Sequence, residues 1–227
     1  MLLVIQNEEC VPLGAYANLL RTHDVSHQIL SLHTGATLPD ASDVTALLVL
    51  GGTMGVHEAD RYPWMIPLQQ LMRDVADADR PLLGICLGGQ LLAAALDGVV
   101  SANTCSERGI CSIELTTAGQ TDPLFTGLPT PLPVLQWHHD SFNLPPAALR
   151  LAASPICPVQ AFRYRQAYGL QFHPEVDAAV VQAWCRDEVD AAILQNEFAA
   201  AQTLHGKHWQ RLFRNFLQLS GLLPSSI

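Results

Sequence analysis

Three groups of residues in this chain have the types and spacing to do chemistry together. The first is Cys86, flanked by Gly84 and Gly88 inside Leu82 to Ala95, LLGICLGGQLLAAA. G-x-Cys-x-G between an apolar run and a Leu/Ala run reads as strand, sharp turn, helix, the nucleophile-elbow pattern with sulfur in the place of a serine oxygen. A thiol held there faces the unpaired N–H groups of a first helical turn, a position that favours the thiolate. The second is His173-Pro174-Glu175, where a carboxylate two positions on can hold one ring nitrogen while the other faces the sulfur. The third is Gly51-Gly52-Thr53, where backbone N–H groups are available for an oxyanion, with the amide of Leu87 as the second donor. Together these are the parts of a thiolate attack on an acyl carbon. Each also has an ordinary reading alone: a buried core cysteine, a surface His-Pro turn, a Gly-Gly turn.

The elements that must position these residues alternate. Leu2 to Ile5, Gln28 to Leu32, Ala46 to Leu50 and the run ending at Cys86 read as strands; Pro12 to Leu20, Ile66 to Ala78 and the stretch from Cys86 to about Asp97-Gly98 read as helices. That alternation predicts parallel βαβ units. Ile110 to Thr116 and Val134 to Trp137 read as further strands, separated by the proline-rich loop Pro123 to Pro133. Val159 to Tyr164 and Tyr168 to Phe172 read as a hairpin turning at Arg165-Gln166. From Asp177, placed to cap a helix, the pattern is helical, with Gly206 interrupting it. The expected fold is therefore α/β: an open, mostly parallel twisted sheet with helices on both faces, flavodoxin-like, with a small antiparallel extension. One domain is expected over 1–227, its part 177–227 helical.

Composition narrows the partners. Hydrophobic residues make up 49% of the 227 and charged ones 15%, enough for a sizeable core. A net charge of −9 with 12 Lys and Arg argues against nucleic acid. The start MLLVIQNEEC lacks the basic flank and long apolar core of a signal peptide, and no run reaches the length of a membrane span, so the expectation is a cytoplasmic protein without membrane contact. The six cysteines contain no C-x-x-C pair, so neither a disulfide framework nor a metal site is expected.

Taken together, Leu50-Gly51-Gly52 with Met54, Asp60 to Trp64, the Gly84 to Gln90 elbow, Trp137-His138 with Asp140, and Gly169 to Glu175 resemble the class I (triad) glutamine amidotransferases. The resemblance is strongest to the stand-alone group similar to the glutaminase domain of GMP synthase. It implies a catalytic triad of Cys86, His173 and Glu175, an oxyanion hole from the amides of Gly52 and Leu87, and Gln90 helping to hold the substrate. The segment Trp137 to Phe142, with His138, His139 and Asp140, would line the pocket for glutamine's amino-acid end, Asp140 pairing by charge with the α-ammonium. For His138 and His139 a plain hydrogen-bonding or solvent-facing role stands beside this.

Relatives often have glycine where this chain has His139, and Glu-Ile-Gly-aromatic where it has Glu107-Arg108-Gly109-Ile110. Both departures bear on which substrate fits. No cofactor is implied. The expected activity is hydrolysis of a γ-glutamyl amide through a cysteinyl thioester, releasing ammonia, with a separate synthetase subunit to accept it because the stretch after residue 176 is too short to be one. The alternative is a γ-glutamyl peptidase or hydrolase. A regulatory or binding module that lost activity is a third reading, but such a module should lack nucleophile, base or orienter, and all three are present.

Overall fold

The computed structural model describes residues 1–224; the last residues of the expected helical tail, 225–227, lie outside the described residues. The first half of the chain contributes β1 (Leu2–Gln6), α1 (Ala15–Thr22), β2 (His27–Ser31), β3 (Ala46–Val49), α2 (Met65–Asp77), β4 (Leu82–Ile85) and α3 (Leu87–Ala95). There follow β5 (Val100–Ser101), β6 (Glu107–Leu115), α4 (Thr117–Thr121), β7 (Leu132–His138), β8 (Ser141–Phe142) and β9 (Leu149–Ala153). Last come β10 (Ala161–Tyr164), β11 (Ala167–Leu170), α5 (Ala178–Trp184) and α6 (Ala191–Leu219).

The large sheet has the order β2-β1-β3-β4-β11-β10-β9-β6-β7. From β2 through β11 neighbours are parallel; from β11 through β7 each pairing is antiparallel. A separate antiparallel pair joins β5 to β8. The expected α/β sheet, parallel where strands and helices alternate and extended by antiparallel strands, is thus present, and the extension is larger than expected, continuing from the β10–β11 hairpin through β9 and β6 to β7. That hairpin turns in two residues, Tyr164 pairing with Ala167, and Arg165 takes the left-handed conformation that such a tight turn requires.

The parallel strands are apolar on both faces because both faces are covered. In β1, Leu2 and Val4 point to the side packed by α1 and the end of α6 through Tyr16, Leu212, Phe213 and Phe216. Leu3 and Ile5 point to the side packed by α2 and α3 through Leu68, Met72, Leu91 and Leu92. Each such side chain, fully buried, contributes about 1.5–3 kcal/mol. A third cluster gathers α5 and the first half of α6 over Leu135 and Val176. No helix among the described residues is long and apolar enough to cross a membrane.

Two expectations are corrected. Gly206 does not interrupt the C-terminal helix: α6 runs unbroken from Ala191 to Leu219, because Phe198 and Ala201 before it and Trp209 and Leu212 after it are buried on one packed side. A mid-helix glycine costs only about 1 kcal/mol against alanine, which this packing overrides. The first helix begins at Ala15 rather than near Pro12, and its first amide donates to the Glu175 carbonyl at 2.7 Å. Gly14 has φ +51 there, and a Cβ would overlap that same carbonyl, so glycine is required. Asp177 caps α5 as expected, its Oδ1 accepting from the amides of Ala179 and Val180 at 3.0 Å each.

Candidate active site

The site forms at the carboxyl ends of four neighbouring parallel strands, β1, β3, β4 and β11, where open α/β sheets bind their ligands. β4 ends at Cys86, whose φ of 51° and ψ of −109° give the strained turn of an elbow, and α3 starts at the next residue. The turn is closed from both sides: Cys86 N donates to the Leu170 carbonyl at 2.8 Å and the Cys86 carbonyl accepts from Gln90 N at 2.9 Å. A Cβ at Gly88 would overlap the Val49 carbonyl, which is why the second residue after the elbow cysteine has no side chain.

Beyond β11 the chain runs on through Gln171 and Phe172 to His173, whose amide donates to the Leu135 carbonyl at 2.9 Å. His173 Nδ1 lies 2.7 Å from Glu175 Oε1, and the ring also makes a hydrogen bond with Cys86. The residues are closed off from bulk water: Cys86 is 6% exposed, His173 3% and Glu175 1%. Burial alone would drive the proton off the ring. The charge of Glu175, then that of the Cys86 sulfur, with the hydrogen bonds to both, reverses this and raises the His173 pKa to about 10. Glu175 Oε2 has no hydrogen-bond partner among the described residues, so the histidine is the carboxylate's partner. A ring charged in this way can donate a proton beside the Cys86 sulfur.

Gly52 and Leu87 meet closely: a Cβ at Gly52 would lie 2.8 Å from Leu87 Cδ2. Gly52 lines the cavity above Cys86, and Leu87 opens the first turn of α3. Two side chains the sequence did not single out hold this loop. Asn7, fully buried at the end of β1, donates to the carbonyls of Leu50 at 2.7 Å and Gly51 at 3.3 Å. Glu8 accepts from Thr53 N at 2.8 Å and Thr53 Oγ1 at 3.0 Å. Gln171, also missed, points its Nε2 at the Cys86 sulfur at 3.8 Å. The only sequence signal for Asn7 and Gln171 was a polar residue directly after an apolar strand.

The pocket-lining candidates divide. Gln90 is buried and donates to the Asp140 carbonyl at 3.3 Å and to Gln171 Oε1 at 3.4 Å. Asp140 Oδ1 accepts from Asn103 N at 3.0 Å, and its carboxylate lies beside Gly55 on the cavity wall. His139 is exposed, lines the cavity and is held by Ser106 at 2.8 Å. His138 borders the cavity, but its ring turns inward to Glu107 at 3.4 Å, the two side chains 1% and 2% exposed. Burial pushes Glu107 up, but His138, Ser154 and Gln160 together hold it below its ordinary value. The ring of His138 therefore belongs to this interior polar cluster. The cavity itself measures about 430 Å³ and is open to solvent.

Comparison with known proteins places the whole chain among relatives. The family model described as "Glutamine amidotransferase class-I" matches residues 9–198. The glutamine amidotransferase-like protein YfeJ of Salmonella typhimurium is 32% identical over 194 residues, covering 83% of this chain and 79% of its own length. A glutamine-hydrolyzing GMP synthase subunit of Pyrococcus abyssi is 31% identical over 158 residues, 68% of each chain. A crystal structure of a glutamine amidotransferase from Thermotoga maritima superposes with a TM-score of 0.86 at 29% identity, covering 99% of this chain and 98% of that one. An elbow cysteine, a carboxylate-held histidine from the far half of the chain and a family match across most of its length converge on one assignment: this chain belongs to the class I glutamine amidotransferases, of the GMP synthase glutaminase-like type.

Proposed function

We propose that the protein hydrolyses the side-chain amide of glutamine by way of a thioester on Cys86, with His173 and Glu175 completing a triad. The observation that carries this reading is the His173 ring held between Glu175 Oε1, at 2.7 Å, and the Cys86 sulfur. The Cys86 thiolate attacks the γ-carbonyl carbon, and the carbonyl electrons move onto oxygen, received by the amides of Gly52 and Leu87. The C–N bond then breaks, His173 gives its proton to the leaving nitrogen, and ammonia departs. The now neutral His173 takes a proton from water as it attacks the thioester; the C–S bond breaks, glutamate leaves, and the thiolate and imidazolium are restored. Glu175 holds the ring in orientation throughout.

At the other end of the substrate, Asp140 pairs with the α-ammonium, while Gln90 and the rim at His138 and His139 bound the amino-acid end. The likeness to a protein named as a GMP synthase subunit supports a separate synthetase chain as the acceptor of the ammonia. The test is glutamate release from glutamine by the native protein and by Cys86→Ala. The variant is expected to fold and to lose turnover by at least about 10⁴-fold. A glutamine-mimicking electrophile is expected to label Cys86 in the native protein. Turnover retained by the variant, or labelling that spares Cys86, would refute the assignment.

A further inference from the structure

The cavity does not end at the reacting sulfur. A chain of contacts runs along and behind its wall: Gln90 to the Asp140 carbonyl at 3.3 Å, Gln90 to the buried Gln171, which does not line the cavity, at 3.4 Å, and Gln171 to the Cys86 sulfur at 3.8 Å. From Cys86 the chain passes to His173, and the His173 ring meets Trp184 edge-on with centroids 5.0 Å apart. On the reading proposed above, a γ-glutamyl group is held at the Asp140 end and its nitrogen must face His173 to be protonated. Whatever that nitrogen carries then lies against Trp184, with Val11, Cys10 and Ala183 beside it on the cavity wall.

This wall is held in place. Trp184 Nε1 donates to the Cys10 carbonyl at 2.7 Å, and Trp137 packs edge-on against Trp184 at 5.8 Å. The Arg108 guanidinium lies 4.9 Å over the Trp137 ring and is gripped by Glu188 and Asp190 at 2.8 Å each. Ammonia needs no such surface, and a cavity of about 430 Å³ falls in the range of roughly 300–1,000 Å³ that encloses ligands much larger than glutamine. The edge of this wall is anionic: Glu188 lines the cavity, and it and the neighbouring Asp190 outnumber the one guanidinium they share.

We propose that the Trp184 and Trp137 wall is a leaving-group subsite, and that the protein cleaves γ-glutamyl amides of aromatic amines in preference to γ-glutamyl amino acids, whose free carboxylate would meet the anionic rim. The proposal rests on the γ-glutamyl hydrolysis argued above. Its chemistry is the same: the amide C–N bond breaks, the thioester forms, and the amine leaves with the proton from His173 in place of ammonia.

The experiment measures glutamate release from γ-glutamylphenethylamide, γ-glutamylphenylalanine and glutamine. The first two differ only by the carboxylate on the amine. The expected kcat/KM for the phenethylamide is about tenfold or more above that for γ-glutamylphenylalanine, because a like charge brought to the rim is penalised. Glu188→Gln is expected to raise the γ-glutamylphenylalanine value about threefold, the size of a partly screened charge effect. Trp184→Ala is expected to narrow the ratio of phenethylamide to glutamine turnover; both substrates use the same histidine, so the ratio isolates the wall. Turnover of glutamine alone, or γ-glutamylphenylalanine cleaved as well as the phenethylamide, overturns the subsite and leaves the hydrolase reading standing. No turnover of any of the three overturns both.

Discussion

At the scale of residues, the decisive feature is a histidine that keeps a proton although it is buried. Burial acts against the charge, while Glu175 and Cys86 hold it, raising the His173 pKa to about 10. The ring is therefore an acid across neutral pH, and the step that needs its proton should weaken only as pH approaches that value. Glu175→Gln keeps the shape and removes the larger favourable charge, so the ring's titration moves down. An NMR titration of His173 should show a midpoint near 10 in the native protein and a lower one in the variant, with turnover reduced about 10³-fold. An unmoved midpoint would contradict this account of the proton.

Cys86, His173 and Glu175 were legible because each sits in a short motif whose local geometry already implies a role. Asn7 and Gln171 were not, because their value depends on which strand ends become neighbours. Asn7 matters only because β1 lies beside β3, so that its amide reaches the carbonyls of Leu50 and Gly51. His138 meets both of its readings, lining the cavity while its ring has an interior partner. Its neighbours in sequence suggest the pocket, while a partner far off in the sequence, Glu107, turns its ring inside through the β6–β7 pairing of those two residues.

At the scale of elements, periodicity and punctuation located the strand-turn-helix at Cys86, the tight hairpin at Arg165-Gln166 and the Asp177 cap. They gave no sign of β9, whose Leu149 and Arg150 are exposed while Leu151 and Ala152 are buried, so that neither alternation nor a clean apolar run appears. Glycine was readable at the elbow, where Gly84 and Gly88 flank Cys86, and misread at Gly206, since its meaning lies in what stands opposite. A Cβ at Gly88 would overlap the Val49 carbonyl of β3, whereas one at Gly206 would meet only Gln202 Cγ at 3.4 Å. Gly88→Ala is expected to lower stability by about 1–3 kcal/mol through forced displacement of the elbow. Gly206→Ala is expected to raise it by about 0.5–1 kcal/mol. Urea midpoints measure both; equal effects of the two substitutions would show that the elbow is not tightly packed.

At the scale of the whole molecule, a mixed α/β sheet followed from the alternation of elements, but the order of its antiparallel side did not. The neighbours of β9 and β6 are set by long-range pairings that no local pattern records. The same order has a kinetic consequence. β11 is the last strand in the sequence, yet it occupies an interior position between β4 and β10. Long-range pairings of this kind form slowly. During refolding, selective labelling of Cys86 by a glutamine-mimicking electrophile is expected to return in the same phase in which the β11 amides become protected from hydrogen exchange. Labelling that returns before that protection would contradict it. Because His173 lies just past the end of β11, a triad of the kind proposed has no imidazole beside Cys86 until this late strand is seated between β4 and β10.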